Sequence, residues 1–214
     1  MTQSMHQIVS TRADHLLHQF HTAANPPAVN LPWDLLQVNA RVWGGSLVTD
    51  VEGSSAFFIH PTNPTLSSVW AVPSYGSYRD AYLRFIKQAY GLANPSIPGG
   101  LDVDHLRAKS TAAAGQFIRL EVVDKSANRS GGGIEKRQTK SPVTKGRIAR
   151  GHTPGSMSFL VVLKLAGVLS PTVRSSATWQ ARRDAALTYL TSRGWNRDTV
   201  AEALDTLEEM ADAR

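Results

Sequence analysis

A chain of 214 residues, 42% hydrophobic and 19% charged, is long and apolar enough to bury a core without staples, which excludes wholesale disorder. It has no cysteine, which excludes disulfides, thiolate zinc sites, iron–sulfur clusters and cysteine nucleophiles. The formal net charge of +6 is concentrated in one place: residues 125–150 hold eight basic side chains against the single acid Glu135, a net +7, and the other 188 residues sum to −1. A local basic excess is the footprint of a polyanion partner, because each neutralised phosphate releases counterions. The bland alternative is a solvated loop whose lysines keep the chain in solution.

Residues 1–24 read as one helix with Ile8, Leu16, Leu17, Phe20 and Ala24 at helical spacing. His15, His18 and His21 drift around it at three-residue steps and read as surface residues rather than ligands. Asn25-Pro26-Pro27 stops it. Residues 28–75 read as irregular to β, with short β-leaning runs at Arg41–Trp43, Ser46–Val51 and Ala56–His60. A helix over Tyr78–Tyr90 follows. Ser77 is its expected N-cap, Gly91 its stop, and Tyr78, Tyr82, Phe85, Ile86 and Ala89 its apolar stripe.

Leu101–Leu106 and Phe117–Val123 read as two strands, and the glycines Gly131–Gly133 predict that any helix after them is short or restarts at Ile134. Met157–Leu169 is apolar, interrupted by Lys164, and far short of the ~20 residues that cross a bilayer. Ala177–Arg193 and a last helix opening on Thr199-x-x-Glu202 complete the chain. The last helix is acidic, which favours packing over groove binding. The start MTQSMHQIVS lacks the pattern of a signal peptide, so the expectation is a cytoplasmic protein with no membrane partner. Nothing in the sequence specifies an oligomeric state. The expected fold is α+β: an N-terminal helical and β region over 1–97, a central unit with the basic loop over 98–150, and a C-terminal helical bundle over 151–214.

The segment LDVDHLRAKSTAAAGQFIRLEVVDKSANR, residues 101–129, carries the chemistry. Asp104 and His105 end the first strand, and Asn128 stands just past the second. A hairpin and the turn after it are expected to bring the three within reach. Asp plus Asn offers two oxygens to a hard cation, and a histidine beside them can take a proton from water. Asp102, two residues back, is an alternative ligand. Adjacent bases can hold a phosphodiester.

These residues resemble the ββα-metal motif of the HNH (His-Me finger) endonucleases. Asp104-His105 matches the pair that ends the first strand, and Asn128, 23 residues after His105, matches the residue that opens the helix. Arg119 stands where the family's central Asn would be. The resemblance covers about 35 of the 214 residues. It implies an α+β fold with a central ββα-metal element and a metal-dependent endonuclease, with DNA favoured over RNA. Asp104 and Asn128 would bind a divalent ion, Mg²⁺ first among the candidates, and His105 would be the general base. Arg119 is the second candidate catalytic residue, for the scissile phosphate; Lys125, Arg129, Lys136, Arg137 and Lys140 would bind nucleic acid. The alternative is a non-catalytic nucleic-acid-binding or structural protein that keeps only the basic loop or a degenerate nuclease fold.

Overall fold

The computed structural model describes residues 3–22, 27–42, 44–49, 55–61, 66–138, 157–168 and 177–212. In chain order the elements are α1 (Met5–Thr22), β1 (Asn30–Pro32), α2 (Trp33–Val42), β2 (Ser46–Thr49), β3 (Ala56–His60), β4 (Ser68–Ala71) and α3 (Tyr78–Tyr90). They continue with β5 (Leu101–His105), β6 (Gln116–Asp124), α4 (Lys125–Gln138), α5 (Phe159–Leu165), α6 (Ala177–Thr191) and α7 (Arg197–Asp212). A single 3-10 turn, Lys109–Thr111, lies between β5 and β6.

All strands join one antiparallel sheet, and β6 is its hub. One edge of β6 bonds β4; the other carries β1 along residues 116–118 and β5 along residues 120–124. Beyond β4 come β3 and then β2. The sheet therefore runs across residue 97, joining strands from both sides of it.

Alternation along β6 divides the interior. Leu120 and Val122 join Phe58, Val69 and Val103 beneath α3, against Tyr82, Phe85 and Ile86. Phe117, on the opposite face, joins Phe57, Ile59 and Trp70 beneath Leu36 and Ala40 of α2. Val123 on that same face enters a helical core with Ile134, Leu160, Trp179, Leu190 and Leu204. Helix α1 serves both layers, giving Met5 and Ile8 to the α3 side and Leu16 and Leu17 to the helical core. Trp195 fastens α1 to the α6–α7 turn by stacking on Phe20 at 5.7 Å and His21 at 5.0 Å between ring centroids.

Between its two apolar ends α1 carries Arg12 into a buried ion cluster. Arg12 Nε donates to Glu121 Oε2 at 2.9 Å, and a second guanidinium nitrogen donates to Oε1. Arg119 donates to the same Oε1 from Nε at 3.2 Å and from a terminal nitrogen at 3.1 Å. The Tyr82 hydroxyl donates to Glu121 at 3.2 Å, and Arg12 also donates to the Tyr90 hydroxyl and the Ser67 carbonyl oxygen. Burial alone would raise the Glu121 carboxyl, but the two guanidiniums outweigh it and hold it below the ordinary carboxylate range.

Several local expectations need correction. Arg41 and Val42 are helical: α2 was hidden because only Trp33, Leu36 and Ala40 mark its inner stripe, directly after Pro32, whose missing N–H is no loss at a helix start. The glycines Gly131–Gly133 do not break α4. Ala127, Gly131 and Ile134 form its buried stripe, and packing against α5 and α7 outweighs the low helix propensity of glycine. Ser77 makes no side-chain cap, whereas Gly91 at φ 67° does end α3, donating to the Lys87 carbonyl. Helix α7 starts before Thr199, and Asn196 caps it by accepting from the Thr199 N–H at 3.0 Å. His15 is part-buried rather than on the surface. Among the described residues, no helix is long and apolar enough to cross a membrane.

Breaking a buried pair strands a charge, whereas replacing the whole set with apolar residues does not. Glu121→Leu is expected to lower the unfolding free energy by about 3–5 kcal/mol in a urea titration. Arg12→Met and Arg119→Met added to it should recover most of that loss. A single variant within about 1 kcal/mol of wild type would show that the cluster carries no weight.

Candidate functional site

The segment that carries the chemistry folds as strand, strand and helix in immediate succession. β5 and β6 pair in register, with His105 opposite Leu120 and Asp104 opposite Glu121. Leu106 N–H donates to the Arg119 carbonyl at one end of the hairpin, and Lys125 N–H donates to the Gly100 carbonyl at the other. Gly115, at φ 76°, turns the connection into β6, a conformation that L side chains rarely adopt. Asp124 Oδ1 accepts from the Ala127 N–H at 2.7 Å and so starts α4 directly from the strand. Asn128 falls in the first turn of that helix, half-buried.

Neighbours in a strand point to opposite faces, and here they do. His105 shares the face of Val103 and Leu120, beneath α3, and is 3% exposed. The Tyr78 ring meets it edge-on at 4.7 Å between centroids, and Lys109 Nζ lies 4.7 Å from the Tyr78 centroid. Among the described residues, His105 Nε2 is buried without a hydrogen-bond partner. Burial, and after it the Lys109 ammonium, push the imidazole down to about 3. Asp104 faces the other way, toward the helical core, where Lys164 Nζ of α5 sits 3.1 Å from Oδ2. That lysine is 1% exposed.

The expected convergence of Asp104, His105 and Asn128 is therefore not what the fold builds. Asp104 and α4 lie on one side of the hairpin and the imidazole on the other. A base with a buried, neutral ring is not set to activate water for an ion held across the sheet. Arg119, expected on a phosphate, is 4% exposed and bound to Glu121. Asp102, the alternative ligand, is paired with Arg79 at 2.9 Å. The oxygen set does not fit a divalent ion, since the Asp104 carboxylate already holds a buried ammonium and Asn128 adds one neutral oxygen. Among the described residues, no three His, Asp or Glu side chains group as ligands.

The nucleic-acid candidates fare differently. Lys125 and Arg129 are exposed, one turn apart on the outer side of α4. Lys136 and Arg137 fall in the last turns of the same helix. Lys140 and the rest of the basic block to Arg150 lie outside the described residues.

The residues that sequence reasoning missed are Arg12, Glu121 and Lys164. Each left one signal: a charge at a position where the local pattern demands an apolar side chain. Arg12 continues the stripe Met5–Ile8, Glu121 sits inside Phe117–Val123, and Lys164 interrupts an apolar run.

The histidines set a pH dependence. An unfolded chain protonates histidine near 6.5, but folded His105 stays neutral down to about 3. Burial lowers His15 and His60 as well. The unfolded state therefore binds more protons between pH ~6.5 and about 3, and stability is lost as the pH drops through that window, by about 1.4 kcal/mol per unit for His105 alone. The lowered Glu121 acts in the same direction further down. Urea midpoints followed from neutral to acid pH should show this slope, and His105→Gln should flatten it. An unchanged slope in the variant would mean that His105 titrates normally in the fold.

Compared with family models, curated proteins and solved structures, the chain matches none, so the reading of its function rests on its own residues and their geometry.

Proposed function

We propose that the protein binds nucleic acid, DNA ahead of RNA, through the basic segment 125–150, and that β5–β6–α4 supports this surface as a degenerate ββα-metal element that does not cut. The observation that carries the reading is the head of the block. Lys125 and Arg129 stand exposed on α4, with no ion pair among the described residues, at the start of a window with net charge +7. Cations held on a rigid helix can neutralise neighbouring phosphates and release their counterions. Their partners in the resembled site support the same reading: His105 is sealed under Tyr78, Arg119 is bound to Glu121 and Asp104 to Lys164.

The nuclease reading has one observation in its favour. Strand, strand and helix follow one another as in the His-Me finger pattern, with Asn128 in the first turn of α4. For it to hold, His105 must leave its place beneath α3.

Plasmid DNA incubated with the protein separates the two. Retention that chelator does not change, with no nicking in Mg²⁺ or Mn²⁺, is the expected result. Lys125→Ala and Arg129→Ala should weaken binding evenly across sequences and reduce the salt slope by about one unit per cation removed. Metal-dependent nicking that His105→Ala abolishes, with binding kept, would establish the nuclease instead. No binding to DNA or RNA would overturn the proposal.

A further inference from the structure

A fully buried lysine is rare, and it persists when a carboxylate neutralises it. Lys164 is one of the largest fully buried side chains in the protein, set among Leu160, Val161, Val162 and Leu163 of α5. Its ammonium crosses from the helical core to Oδ2 of Asp104 at 3.1 Å. The Asp104 side chain is 20% exposed, so this carboxylate could have been hydrated or could have taken an ion from solvent. Asp104 also lies directly opposite Glu121 in the sheet. Like charges facing each other across a strand pair repel. Glu121 is answered by Arg12 and Arg119; Asp104 is answered from α5. The hairpin therefore needs a cation at Asp104, and the chain supplies its own.

We propose that the Lys164 ammonium is the resident counter-ion of the β5–β6–α4 unit, occupying on Asp104 the place a divalent ion would take and making the unit independent of metal. This rests on the non-cutting reading above. An ion coordinated by Asp104 would sit within a few ångströms of a buried ammonium and be repelled by it. Lys164 is thus a positioning residue: it ties α5 to β5 and withholds Asp104 from solution cations.

Thermal melts of the full chain in EDTA and in Mn²⁺, with Mn²⁺ binding followed by electron paramagnetic resonance, test this directly. Wild type is expected to melt at the same temperature in both and to bind no Mn²⁺ through Asp104. Lys164→Met should melt lower, regain part of the loss in Mn²⁺, and bind one Mn²⁺ that wild type does not. Adding Asp104→Asn should erase that gain. Should Lys164→Met fail to fold, Asp104→Asn alone serves as the second variant: it should melt lower and ignore metal. Three results would overturn the proposal: a wild-type melt raised by Mn²⁺ in an Asp104-dependent way, a folded Lys164→Met indifferent to Mn²⁺, or an Asp104→Asn protein as stable as wild type. DNA retention on the same samples separates this inference from the functional reading. Metal-indifferent melts without DNA binding remove the reading and leave Lys164 in its role; DNA binding that requires metal removes the role and leaves binding in place.

Discussion

The Glu121 carboxylate, buried in β6 between Arg12 and Arg119, decides how the rest of the molecule is arranged. Strand register has a period of two, so sliding β6 by one residue would exchange its faces. Here a slip would carry Glu121 and Arg119, which share that strand, away from Arg12 together and leave the Arg12 guanidinium buried without its carboxylate, a cost of several kcal/mol. Apolar alternation alone does not fix β6 so firmly, because residues 117–123 are buried on both faces. The ion cluster adds the missing discrimination. It also holds α1 where that helix passes from one core to the other, and it is joined by two tyrosines of α3. Helix α1, the sheet and α3 meet at one carboxylate.

That register settles the fate of the Asp-His pair. With Glu121 facing the arginines, Asp104 opposite it must face the helical core, and His105 must face α3. Each residue then takes on a separate structural task. The imidazole becomes part of an aromatic layer, and the carboxylate becomes an anchor for α5. The same cluster takes Arg119 out of reach of any ligand. A sequence pattern that looks like one site is thus spread over two faces of a sheet, while the exposed cations of α4 stay available.

Much of this architecture could be read from local pattern. Both strands of the hairpin, helix α3 and its glycine stop, and the apolar stripe Val200, Leu204, Leu207 and Met210 of α7 follow from periodicity and punctuation. What could not be read depends on partners distant in the chain. Arg12 and Glu121 are 109 residues apart, and Lys164 and Asp104 are 60 apart. A charge inside an apolar run announces that a partner exists but not which one. The glycines of α4 mislead for a related reason: their propensity is local, while the packing that overrules it comes from α5 and α7. The strand alternation that separates Asp104 from His105 is visible in the sequence, yet only the pairing with Glu121 tells which face each one takes.

The most direct test of this account is a crystal structure of the protein soaked in Mn²⁺ and recorded at the manganese absorption edge. The account predicts no anomalous peak at Asp104, with Lys164 still on its carboxylate and His105 still beneath Tyr78. A manganese ion held between Asp104 and Asn128, with the His105 ring turned toward it, would contradict the separation of the two faces on which everything else depends.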